Sequence, residues 1–137
     1  MRRVVLDPGV LVSALISPSG TPARLLEEAR DGALELIVSP LLLGELEEVL
    51  AREKFRRYVD PDTVCDYIDM LCREATVAED PPEGPPLHAA DPDDDYLIAL
   101  AFCQKAALVS GDKHLLDITG GAPILAPADL LRASVRS

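Results

Sequence analysis

The stretch Val4-Val5-Leu6-Asp7-Pro8-Gly9 decides how the chain is read. Three apolar residues, two of them β-branched, stop at an acid followed by Pro and Gly. A short continuous apolar run bounded by turn residues marks a strand buried on both faces. Such strands belong to parallel sheets covered by helices on each side. The same unit recurs at Leu34 to Val38, at Leu108-Val109-Ser110 and at Ile124-Leu125, with a shorter candidate at Thr76 to Ala78.

Helices are expected between these runs. One covers Val10 to Ile16 and is broken by Ser17-Pro18-Ser19-Gly20. Thr21-Pro22 opens the next, with Thr21 as its cap and Pro at its first position, and it ends near Gly32. Ser39-Pro40 opens a helix carrying Leu41, Leu42, Leu43, Leu46, Val49 and Leu50. Asp60-Pro61 opens another, with Val64, Ile68, Leu71 and Cys72 on one face. The segment from Asp93 to about Lys105 is nearly apolar all round, so it reads as a buried helix. A short helix after Gly111-Asp112 and a last one from Pro127 to Ala133 complete the alternation. Asp80 to Pro92, with five of the twelve prolines, reads as a loop or flap. Strands alternating with helices define an α/β fold with a mainly parallel sheet. In such sheets the functional crevice lies beyond the carboxyl ends of the strands.

A length of 137 residues predicts a single domain, residues 1–137. Aromatics make up 4% of the chain and Trp is absent, so the core is aliphatic. Thirteen Lys and Arg against 24 Asp and Glu give a net charge of −11. That excludes a simple electrostatic binder of nucleic acid, which would be basic. A nucleic-acid substrate would have to be held locally, by metal ions or by a small basic patch. Cys65, Cys72 and Cys103 are odd in number and lack Cys-x-x-Cys spacing, so they read as buried thiols in a reducing compartment. No signal-peptide core and no membrane span is evident, which predicts a soluble, cytoplasmic protein.

Four acids are candidates for chemistry. Asp7 ends the first strand and Asp112 follows the Leu108-Val109-Ser110 strand by two residues. Two such strands near the middle of a sheet would place both carboxylates in one crevice; each acid alone also fits a turn or helix cap. Glu45 falls within the apolar arc of its helix, while Glu47 and Glu48 fall outside it. Asp95 is the last of the run Asp91-Pro92-Asp93-Asp94-Asp95 and lies one turn before Ile98 and Ala99. Acids crowded at a helix start are favoured by its dipole, yet they repel one another unless a divalent cation intervenes. Asp7, Glu45, Asp95 and Asp112 form an all-oxygen set, which selects Mg²⁺ or Mn²⁺ over zinc. Such ions activate water and stabilise the leaving oxygen in phosphodiester hydrolysis.

Arg52, Lys54, Arg56 and Arg57 follow directly on the helix of Glu45 and hold four of the thirteen basic residues. They are candidates to contact substrate phosphates or an acidic partner segment. Favourable cations at a helix end are the other reading.

These same residues carry a resemblance that spans nearly the whole chain. Val4-Val5-Leu6-Asp7, Val10 to Ala14, Ser39-Pro40-Leu41-Leu42 with Glu45-Leu46, and Val49-Leu50 with Arg52, Lys54 and Phe55 come in order. Asp91 to Leu97, Leu108-Val109-Ser110-Gly111-Asp112 with Leu115-Leu116, and Pro123-Ile124-Leu125 follow. The sequence resembles PIN domains, and most of all the toxin components of bacterial and archaeal toxin–antitoxin modules. The resemblance implies a three-layer α/β/α fold and a Mg²⁺- or Mn²⁺-dependent ribonuclease. Its metal-binding and catalytic acids map onto Asp7, Glu45, Asp95 and Asp112, with Ser110 as a candidate substrate contact. It also implies a homodimer held inactive by an antitoxin.

One departure qualifies the match. The family's usual Asp-Thr-Asn is replaced by Asp7-Pro8-Gly9, so the Asn amide is missing. A modified active site is one reading; a weakened or silent domain that serves as a binding module is the other. His114 stands where many relatives carry a further acid. Two other phosphoryl-handling classes are excluded. Gly9 stands where a haloacid-dehalogenase-type phosphatase needs a second Asp, and a receiver domain's early acid pair and strand-end Lys are not evident.

Overall fold

In the computed structural model, which describes residues 2–81, 95–111 and 124–130, strand β1 (Arg2–Leu6) sits mid-sheet. The other strands are β2 (Leu34–Val38), β3 (Thr76–Val77), β4 (Ala107–Val109) and β5 (Ile124–Leu125). Their order is β3-β2-β1-β4-β5 and every pairing is parallel. The register sets Val4 beside Leu36 on one side and beside Ala107 on the other. With flanking helices this is the expected α/β/α arrangement. Val4, Val5, Ile37, Val38, Leu108 and Val109 have no exposed surface, which is why these strands read as unbroken apolar runs.

The helices are α1 (Pro8–Ile16), α2 (Thr21–Arg30), α3 (Pro40–Leu50), α4 (Glu53–Arg56), α5 (Pro61–Glu74) and α6 (Asp95–Cys103). Residues 127–130 are also helical. Caps fix where they begin. Asp7, Ser39 and Asp60 accept the amides of Val10, Leu42 and Thr63, at 2.7, 3.3 and 2.8 Å, and each precedes a Pro. The Asp60 carboxyl is held below its ordinary range by that bond from Thr63. Helix α2 ends in a left-handed Gly32 (φ 89°), with the amides of Gly32 and Ala33 closing back on Ala29 and Glu28. α1 packs on α2 and α3, and α6 lies against β1 and β4.

Three expectations are corrected. The cap of α2 is Gly20, not Thr21: the Gly20 carbonyl accepts the Arg24 amide, which leaves Thr21 and Pro22 in the first turn. All three cysteines are exposed. α5 buries Tyr67 and Leu71 and half-buries Val64 and Ile68, an arc of about 100° that stops short of Cys65 and Cys72. Cys103 lies on the last turn of α6, where Phe102 is also exposed. Leu41 is 51% exposed, so the buried stripe of α3 is Leu42, Leu46 and Leu50, narrower than residue types alone suggest. The flap from 82 onward, the short helix after Asp112, His114 and residues beyond 130 lie outside the described residues.

Candidate functional site

The site grows from the junction of β1 and α1. Asp7 is the first residue past β1, and its Oδ1 accepts the Val10 amide, which points the carboxylate along the start of α1. Its own amide donates to the Val109 carbonyl at 3.0 Å, so the carboxyl ends of β1 and β4 are stitched together beside it. Asp7 is only 8% exposed. β1 and β4 are neighbours, and the chain runs from β1 to one half of the sheet and only later returns to the other. That is the topological switch point at which α/β sheets place their sites.

A cavity of about 410 Å³ opens there. Asp7 and Gly9 line it, and Glu45 of α3 lines it with Val49 of the same helix. Glu45 is half-buried at the margin of the α3 stripe rather than within it, because the arc that would enclose it ends before Leu41. The Tyr96 hydroxyl donates to Glu45 Oε2, joining the first turn of α6 to α3. Leu97 of the same turn also lines the cavity. Asp95 begins α6, directly before Tyr96, while its side chain and all of Asp112 lie outside the described residues.

The basic stretch divides. Arg52 and Lys54 line the cavity together with Phe55, and the Lys54 ammonium lies 4.9 Å from the Phe55 ring centroid. Arg56 turns away and donates from Nε to the Ala51 carbonyl at 3.3 Å, at the end of α3. Arg57 is exposed and lines a separate depression beyond α4. Ser110 is wholly buried at the carboxyl end of β4, its amide bonded to the Leu125 carbonyl at 2.9 Å.

Two features of the site were not read from the sequence. Tyr96 opens an apolar run in the sequence, although a Tyr at a helix start beside acids carries a hydroxyl that needs a partner. Phe55 belongs to a charged stretch with no apolar period to mark it, yet it walls the cavity. No His or Cys is among the described residues lining the cavity, which leaves a hard-oxygen donor set. Among the described residues, no three His, Cys, Asp or Glu side chains come together; Asp7 and Glu45 are the two acids on the cavity wall.

An all-parallel sheet flanked by helices, with Asp7 just beyond its central strand, defines an α/β/α protein with a cavity at its switch point. Comparison with known proteins makes the class specific. The profile of the PIN domain family matches residues 3–114, and the chain belongs to that family. An uncharacterised protein of Methanocaldococcus jannaschii is 28% identical over 116 residues, covering 85% of this chain and 74% of that protein. PAE2754 from Pyrobaculum aerophilum is a solved structure with 20% identity and a TM-score of 0.65, covering 99% of this chain and 91% of its own. VapBC2 from Rickettsia felis, crystallised with a DNA fragment from its promoter, superposes with a TM-score of 0.60 at 12% identity, over 89% and 96% of the two chains. These structures share the fold. Among the described residues, no helix is long and apolar enough to cross a membrane.

Proposed function

We propose that this chain is a Mg²⁺- or Mn²⁺-dependent endoribonuclease and the toxin of a toxin–antitoxin pair. The observation that carries the reading is the cavity shared by Asp7 and Glu45 at the β1–β4 switch point, with Arg52 and Lys54 on its rim. PIN domains generally depend on divalent metal, and family membership supports a nuclease. Asp7 and Glu45 would hold the ion, with Asp95 and Asp112 completing the set. When bound, the metal supplies an activated water and charge stabilisation at the leaving oxygen. The chain's own residues prepare the site. The Val10 amide fixes Asp7, and Tyr96 fixes Glu45, so neither carboxylate has to be ordered when substrate arrives. Lys54 and Arg52 offset phosphate charge that the acids would otherwise repel. A VapBC complex among the similar structures supports an antitoxin as partner. A homodimer, a single domain over residues 1–137 and a cytoplasmic location belong to the same reading.

A silent binding module is the second reading, favoured by Gly9, which puts a bare backbone where the cavity meets Asp7. One experiment separates them. In Mn²⁺ the parent should cleave RNA and melt higher than in EDTA. Asp7→Asn and Glu45→Gln should lose the cleavage and most of the melting shift. A parent whose melting curve ignores both Mn²⁺ and Mg²⁺ is not a metal enzyme.

A further inference from the structure

A second depression, of about 810 Å³, lies beyond α4 and is lined by Glu53, Lys54, Phe55, Arg57 and Tyr58. Lys54 and Phe55 line this depression and the acid cavity alike, so the two adjoin at α4. Tyr58 is 70% exposed, a large ring left open beside exposed cations. Its amide donates to the Phe55 carbonyl at 2.9 Å, which holds it in the turn that closes α4. Charge alone would suit any polyanion. Interleaved aromatics and cations suit one whose flat faces are open, because unpaired bases stack on aromatic rings while cations track the phosphates. Glu53 opposes phosphate at its own position, which leaves Lys54 and Arg57 for the strand's backbone.

We infer that α4 and the turn after it are a stacking platform for single-stranded RNA, with Tyr58 against an unpaired base and Arg57 and Lys54 on phosphates, feeding the strand into the acid cavity. This rests on the ribonuclease reading for the nature of the polymer. The test is fluorescence anisotropy of a labelled single-stranded RNA, with Ca²⁺ in place of Mn²⁺ to limit cleavage. Tyr58→Ala should weaken binding roughly tenfold while Tyr58→Phe retains it. Its salt slope should be unchanged, whereas Arg57→Gln should lower that slope by about one. A ribose-phosphate strand without bases should bind the parent and Tyr58→Ala alike. The melting temperature of Tyr58→Ala should match the parent's, since the ring is exposed.

Equal RNA affinity for the parent and Tyr58→Ala overturns the platform. So does a Tyr58→Ala effect confined to self-association or to binding of a protein partner. If Tyr58 fails while Asp7→Asn abolishes cleavage, only the platform falls. If Tyr58 governs binding and no metal-dependent cleavage exists, only the nuclease reading falls.

Discussion

The amide of Asp7 donates to the carbonyl of Val109 at 3.0 Å, while the Asp7 side chain accepts the amide of Val10 at 2.7 Å. One residue therefore ends the strand pairing of β1 with β4 and starts α1. The carboxylate has a structural duty separable from chemistry. Asn caps helices about as well as Asp, and Ala does not. In EDTA, Asp7→Asn should melt within a degree or so of the parent, while Asp7→Ala should lose about 1 kcal/mol, or roughly 3–5 °C. Thermal denaturation followed by circular dichroism reads both. Equal losses for Asn and Ala would mean that the cap does not contribute.

Gly9 occupies the first turn of α1 without a positive φ; Gly32 is the described glycine that has one. A Cβ at position 9 would sit 3.4 Å from Asp7 Oδ1, an ordinary contact. Gly9→Ala should therefore stabilise the chain by about 0.4–1 kcal/mol, through a less flexible unfolded state. Gly9→Asn should add an amide at the cavity wall and, relative to Gly9→Ala, enlarge the Mn²⁺ melting shift and the cleavage rate. Matching shifts for the two variants would remove position 9 from the metal site.

The Tyr67 hydroxyl donates to the buried Leu11 carbonyl at 2.7 Å, clasping α5 to α1. Burial pushes this phenol well above its ordinary value of 10.0. The unfolded chain thus gives up the proton first as pH rises. The contribution is whole below about pH 10 and declines above it. Tyr67→Phe should cost about 1 kcal/mol at pH 7. Urea unfolding between pH 7 and pH 11 should show that gap narrowing at the alkaline end. A gap that stays constant would mean that the phenol titrates alike in both states.

Arg52 and Lys54 face the acid cavity, whereas the Arg56 guanidinium is spent on the Ala51 carbonyl. Arg52→Gln and Lys54→Gln should each lower the salt slope of RNA binding by about one, and Arg56→Gln should leave it unchanged. Binding across a salt series in Ca²⁺ measures this. A fall in slope for Arg56→Gln would extend the RNA path to the end of α3.

The strands were legible because burial on both faces leaves an unbroken apolar run, as in Val4-Val5-Leu6 and Leu36-Ile37-Val38. Helix starts were legible where an acid or Ser precedes Pro, as at Ser39 and Asp60. Depth was not. Leu41 and Cys72 carry apolar side chains that are exposed, and residue type alone cannot tell a covered face from a bare one. Helix periodicity places Glu45 within the apolar arc of α3. It lines the cavity from the stripe's edge, held by a Tyr 51 residues away that periodicity cannot pair with it. Helix α4 is four residues long and charged, too short for a periodic signal, so the way it brings Phe55 to the cavity was not legible.

The pairing of β1 with β4 joins Val5 to Leu108, partners about a hundred residues apart. During synthesis β1 can already find β2, while its other edge stays open until β4 has been made. The rim that holds Asp7 is therefore closed among the last events of folding. Contacts of such long sequence separation cost loop entropy before they return any stability, so they form slowly. A chain halted before residue 107 carries the Asp7 carboxylate without the strand that anchors it. Premature termination therefore yields a fragment with an exposed strand edge, prone to aggregation.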